Sequence, residues 1–222
     1  MSQINALNIE PLVQSRWLNA VSAYLSPTQI DQLKQLPFVV GIRKIKSIHI
    51  ASNQDSTNQN NDYTQRELDY SLSYMRLNTF ATLQLTAKNI KIGVADVGFK
   101  NLDTDQYTAH LVKNNQIIEK KDFVNKNTPD SNFYKLDETN SDFHGQRVMQ
   151  GIGGIAIDPT DNHKTQFGLA TNALYYLART DHGDKETRQD EDNWVAALEW
   201  FETKGIRLVN SSLGYKIGRA HV

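Results

Sequence analysis

Residues 51–64 read Ala-Ser-Asn-Gln-Asp-Ser-Thr-Asn-Gln-Asn-Asn-Asp-Tyr-Thr, almost wholly polar and without periodicity. A stretch of this kind cannot bury enough apolar surface to offset the entropy of ordering it. It therefore reads as a linker over residues 51–65 and makes the chain fold as two units, residues 1–50 ahead of it and 66–215 behind. At about 150 residues per domain, a chain of 222 residues holds roughly one and a half domains. Composition removes several functions. Twenty-four Lys and Arg against 25 Asp and Glu, a net charge of −1, give no basic platform for nucleic acid. With no Cys there is no disulfide framework, thiolate nucleophile or Cys-ligated metal. No window reaches the roughly 18 consecutive apolar residues of a membrane span. The opening Met1–Glu10 has neither the basic region, the apolar region nor the small-residue cleavage site of a secretory signal.

The leading unit is expected to be a small α+β packing unit. Trp17–Leu25 is strand-like. Ser26-Pro27 then opens a helix, with Ser as N-cap and Pro at the first helical position. Ile30, Leu33 and Leu36 form its stripe, Pro37 ends it, and Phe38–Ile45 reads as a second strand. After the linker the pattern alternates. Residues 66–86 look helical in two pieces, and Ile90–Asp96 is a short apolar strand. Residues 116–124 form another strand, residues 144–155 a helix, and Ala173–Arg179 a strand. Asp192–Lys204 is a helix closed by Gly205, and Ile206–Asn210 a last strand. Strands alternating with helices predict an α/β unit whose mainly parallel sheet is covered on both faces.

In such sheets the working groups gather beyond the carboxyl ends of the strands. Asp96 ends the first apolar strand, His144-Gly145 stands where a loop turns into a helix, and Asn210–Tyr215 leaves the last strand. A carboxylate beside an imidazole fixes its tautomer and stabilises the imidazolium, which is what the base of a nucleophile requires. Asp96 and His144 are candidates for that pair. Gly151-Ile-Gly-Gly-Ile-Ala156 has the spacing of a dinucleotide motif but follows no buried strand, so it reads as close packing and termination of a helix. His163 and His182 lie in polar loops and read as solvated. The acidic clusters Asp181–Asp184 and Asp190–Asp192 are candidates for structural calcium, against the plainer reading of a solvated acidic face.

Four blocks carry a resemblance. Ile92-Gly-Val-Ala-Asp96-Val-Gly98 is similar to the Asp block of the subtilases, the subtilisin-like serine peptidases. Phe143-His144-Gly145 through Gly154 resembles their His block. Gly168–Ala173 resembles the turn before a sheet strand, and Val209-Asn210-Ser-Ser212-Leu213-Gly214 their substrate-binding strand. The order matches the family as well. The resemblance covers most of residues 15–215. It implies a three-layer subtilisin-like α/β domain, incomplete here, preceded by part of a propeptide that acts as an intramolecular inhibitor. It also implies serine endopeptidase chemistry by acyl transfer, with Asp96 orienting His144 and His144 as general base. Ser212, Leu213 and Gly214 would pair with a protein or peptide substrate. No cofactor is implied, and the full-length protein is expected to be secreted or in the cell envelope.

The chain departs from that pattern in four places. Val97 stands where the family has Ser or Thr, and Gln146 and Arg147 replace the usual centre of the His block. Asp96 and His144 are separated by an inserted surface loop over Thr128–Asp130 and Lys135–Asp142. None of the 13 serines lies in a Gly-Thr-Ser context. The expectation is an amino-terminal fragment, inactive alone, with residues 216–222 a foreign tail. The alternative is a non-catalytic peptide-binding or scaffold relative of the same fold.

Overall fold

The computed structural model describes residues 2–44, 74, 76, 79–80, 83–157, 160, 164–183 and 187–212. The leading unit contains helix α1 (Ser2–Asn5), strands β1 (Pro11–Ser15) and β2 (Ala20–Ala23), and helix α2 (Pro27–Lys34). The sequence start of α2 is confirmed in detail. Ser26 Oγ accepts from Gln29 N at 3.3 Å, and Gln29 Oε1 accepts from Ser26 N at 2.9 Å, a reciprocal capping box. Its stripe is also the observed one, with Leu33 buried and Ile30 and Leu36 half-buried.

Two expectations for this unit are corrected. Trp17–Leu25 is not one strand: β1 and β2 form an antiparallel hairpin whose turn covers residues 16–19. Asn19 adopts φ 48°, a left-handed conformation that Asn tolerates and that reverses the chain here. Phe38–Lys44 is not a strand either. The turn ending α2 carries on, with Val39 N donating to Leu36 O, and Phe38 and Val40 are exposed rather than packed on a sheet. Ile45 and most of the two helices expected over 66–86 lie outside the described residues.

The second unit is α/β as expected. Its elements are β3 (Lys91–Asp96), α3 (Ala109–Lys113), β4 (Ile117–Asp122), α4 (His144–Gly153), β5 (Ile155–Ile157), β6 (Lys164–Gln166), β7 (Leu174–Arg179), α5 (Arg188–Thr203) and β8 (Leu208–Ser211). Strands β4, β7, β3 and β8 lie in that order in one sheet, every neighbouring pair parallel. The small antiparallel hairpin β5–β6 has no counterpart in the sequence reading.

Alternation along the strands divides the core between the two faces. Ile92 and Val94 of β3 and Tyr175 and Leu177 of β7 pack with Phe99, Leu111 and Met149 on the face that carries α4. Ala95, Tyr176 and Ala178 pack with Ala197, Trp200 and Phe201 of α5 on the other. Gly93 is needed there, because a Cβ would lie 2.9 Å from the Phe201 ring. Gly205, at φ 70°, ends α5 in the left-handed conformation expected of a C′ glycine.

The leading unit docks on the outer side of α5 through two carboxylates, chiefly that of Glu199. Glu199, itself buried, accepts from Ser15 Oγ at 2.5 Å, from Arg16 N at 3.0 Å and from Trp17 N at 3.1 Å. Glu202 adds bonds from the Arg16 guanidinium and Trp17 Nε1. Burial pushes the Glu199 carboxyl up, but the Ser15 hydroxyl, the two backbone donors and Arg16 outweigh it and hold the group below the ordinary glutamate range. A depressed carboxyl contributes stability above its ordinary pKa and loses it as pH falls through the depressed one. Protection of the Arg16 and Trp17 amides from hydrogen exchange is therefore expected to hold at neutral pH and to collapse in acid. In Glu199→Gln it should fall by about tenfold at neutral pH, a loss of the size of a charged hydrogen bond, and the acid step should disappear.

Candidate functional site

Asp96 is the last residue of β3 and pairs in register with Arg179, the last residue of β7. Its position in the alternation puts it on the same face as Ile92 and Val94, the face covered by α4. His144 is the first residue of α4. The loop after β3 and the start of α4 meet backbone to backbone. Gly145 N donates to Gly98 O at 2.8 Å, and a Cβ on Gly145 would run into that same carbonyl. On the other side, a Cβ on Gly98 would strike the backbone of Asp142. Two glycines thus set the distance between the carboxylate and the imidazole.

At that distance His144 Nδ1 lies 2.7 Å from Asp96 Oδ1. The same oxygen accepts from Val97 N at 2.9 Å, while Asp96 Oδ2 is buried without a hydrogen-bond partner. The Asp96 side chain has no exposure, whereas that of His144 retains 43%. Burial pushes the Asp96 carboxyl up against the pull of the His144 hydrogen bond and charge. The hydrogen bond to Asp96 raises the His144 pKa above its ordinary value despite its own burial, and the Asp96 and Asp181 charges add to the rise while Arg147 opposes it. An acceptor at Nδ1 keeps the proton there and leaves Nε2 as the basic nitrogen of the neutral ring.

Of the other sequence candidates, Ser212 is exposed just past β8, with its Oγ 2.9 Å from Asn210 Nδ2. Leu213 and Gly214 lie outside the described residues, as does Asp184 of the first acidic cluster. Asp190 of the second is committed to its own helix, where Oδ2 accepts from Thr187 N at 2.6 Å. Among the described residues no three His, Asp or Glu side chains converge as metal ligands. The glycines at 151–154 end α4. Gly153 packs under the Tyr175 hydroxyl and Gly154 N donates to Gln150 O at 2.9 Å.

Sequence reasoning missed Arg179, Glu138 and Asp142, which meet beside the pair, and it read Asp181 as part of an acidic cluster, solvated or holding structural calcium. Arg179 had a visible signal, a cation closing an apolar strand in phase with Tyr175 and Leu177. Glu138 and Asp142 had none, since both fall in what read as a surface loop; Asp142 is buried. Asp181 is buried too, and its Oδ2 has no hydrogen-bond partner. Burial, against a bond from Gly183 N and reinforced by Asp190 and Asp96, pushes its carboxyl up to about 7.

The sign of that shift decides its effect. A folded state that holds the Asp181 proton more tightly is favoured below the ordinary aspartate range, and loses this stability as pH rises through about 7. Asp181→Asn is expected to raise the unfolding temperature by several degrees at pH 8 and to leave it nearly unchanged at pH 4. Differential scanning calorimetry at the two pH values reads the difference, at roughly 2–4 °C per kcal/mol for a chain of this size.

Residues 1–63 match the peptidase S8 propeptide domain of Bacteroidota. Residues 87–221 match the Subtilase family. Comparison with curated proteins gives no match. Among the described residues no helix is long and apolar enough to cross a membrane. The parallel four-stranded sheet with helices on both faces fits an incomplete three-layer domain of that kind, and the second match spans more than half of the sequence. The chain belongs to the subtilase family, with a propeptide ahead of its catalytic-type domain.

Proposed function

We propose that this chain carries the acid–base half of a serine endopeptidase site, in which Asp96 orients His144 and His144 takes the proton of a serine supplied from outside these 222 residues. The observation that carries the reading is the 2.7 Å contact between Asp96 Oδ1 and His144 Nδ1 within a subtilase-family sequence. The roles follow from the chemistry. Nε2 accepts the hydroxyl proton as the serine oxygen attacks the scissile carbonyl. Asp96 stabilises the imidazolium that forms, and the proton then passes to the leaving amine. This uses side chains alone and no cofactor. Oxyanion donors and a nucleophile are both required for acylation, so the 222 residues alone are expected to be inactive.

In this reading the substrate is an extended protein or peptide segment. Its backbone adds to that of Ser212-Leu213-Gly214, where the chain leaves β8. The leading unit acts as the enzyme's own inhibitor until it is cut away near residues 47–65. A role outside the cytoplasm, secreted or in the cell envelope, follows from an inhibitory propeptide that must persist until the enzyme reaches its place of action.

The coding sequence beyond Gly214 is expected to contain a Gly-Thr-Ser block, and the protein extended through it to cleave casein and release its leading unit. His144→Ala in that extended protein should slow both by at least about a thousandfold, within the range that a general base supplies. Retained cleavage would sink the role of His144. A natural carboxyl terminus at Val222 would favour the non-catalytic peptide-binding relative instead.

A further inference from the structure

Arg179 has no solvent exposure, yet it closes a strand in the middle of the sheet. A guanidinium placed there must have each of its donors matched, because an unpaired buried charge is strongly destabilising. Its partners come from three separate segments. Nε donates to Val97 O at 3.0 Å, in the exit from β3. One terminal nitrogen donates to Asp122 Oδ2 at 3.2 Å, at the end of β4. The other donates to Glu138 Oε2 at 2.6 Å and lies 3.8 Å from Asp142 Oδ1, both in the loop that leads into α4.

Two of these contacts, to Val97 and to the loop before α4, continue toward the pair. Val97, whose carbonyl Arg179 holds, gives its N–H to Asp96 Oδ1, the oxygen that also faces His144 Nδ1. Glu138 N donates to Asp142 Oδ2 at 2.5 Å and Thr139 N to the same oxygen at 2.7 Å, which folds the loop into a tight turn. Asp142 O accepts from Lys100 N, tying that turn back to the segment after β3, and His144 begins α4 two residues later. Asp122 is satisfied independently as well: it accepts from Val124 N, Asn125 N and Thr128 Oγ1. Lysine could not take Arg179's place, since one ammonium cannot span three segments in a plane.

We infer that Arg179 is a positioning residue for the proposed acid–base pair, and that the loop inserted between Asp96 and His144 supplies the carboxylates that make it so. The inference rests on the reading of Asp96 and His144 as a working pair, and its test keeps the two apart. His144 also feels Asp96, Asp181 and Arg147, none of which Arg179→Lys or Glu138→Gln alters.

The test is an NMR titration of the His144 ring in the whole chain, together with the low-field Nδ1 proton resonance expected of a short bond to a carboxylate. Arg179→Lys keeps the charge and loses the span. It is expected to lower the His144 pKa by at least about half a unit, roughly a threefold loss of proton affinity, and to broaden or remove the low-field resonance while thermal unfolding stays cooperative. Glu138→Gln, at a side chain still 38% exposed, should move both readouts the same way by less. A merely structural arginine would lower the unfolding temperature and leave both where they are in the wild type. That result in Arg179→Lys overturns the inference; if Arg179→Lys does not fold, an unchanged titration in Glu138→Gln overturns it. Asp96→Asn separates the two readings. If it leaves the His144 titration unmoved, the pair itself fails. If it abolishes the raised pKa while the Arg179 and Glu138 variants do not, only the positioning role is lost.

Discussion

The parallel register of β3 against β7 places two oppositely charged side chains, Asp96 and Arg179, as paired residues at the carboxyl edge of the sheet, both without solvent exposure. Burying either charge is costly, and the attraction between opposite charges offsets the cost only where hydrogen bonds are complete. They do not pair with each other. Arg179 turns to Val97 O, Asp122 and Glu138, and Asp96 turns to Val97 N and His144. The backbone of Val97 thus lies between them, its carbonyl bound to the cation and its N–H to the anion. A sheet edge that would otherwise be a desolvation penalty becomes a fixed point to which loop and helix attach.

The two faces of the sheet divide the work. On one, Met149 of α4 packs over Ile92, Val94 and Tyr175 and carries the imidazole in with it. On the other, Phe201 and Ala197 of α5 fill the core beneath Gly93, while Glu199 of the same helix holds the hairpin of the leading unit. A period near 3.6 is what allows one helix to do both, because Glu199 lies about 160–200° around the axis from Ala197 and Phe201. Docking of the leading unit therefore draws on a helix that the sheet already fixes. It leaves the imidazole, on the opposite face, half-exposed.

How much of this was readable from the residues depends on the range of the interaction. The parallel strands, the start of α2 and the beginning of α4 at His144 follow from local signals: an apolar run, a Ser-Pro cap, a glycine. The pairing of Asp96 with His144 became readable only through the order of four blocks, since nothing in either residue reveals a contact 48 positions away. The leading hairpin was misread because Trp17 and Leu18 are apolar, and their place in a turn is set by Asn19 and by Glu199, a residue in a distant helix. The loop before α4 has the look of a surface loop for the same reason. Glu138, Thr139 and Asp142 have loop composition, and only the buried guanidinium reveals why two of its carboxylates are needed.

The geometry also limits where the rest of the chemistry can stand. Asp96 accepts at Nδ1 from within the protein, so the only basic nitrogen left on the neutral His144 ring is Nε2, and proton transfer needs a heavy-atom approach of about 2.6–3.2 Å. In the proposed mechanism the nucleophile reaches the ring at Nε2, and the imidazole is still half-exposed. Among the described residues the sheet ends at β8, which is bonded to β3 on one side only. The end of β8, beside which the proposed substrate would add, lies at the same carboxyl edge as Asp96 and Arg179. The orientation of the proposed base therefore goes back to one register, the pairing of Asp96 with Arg179.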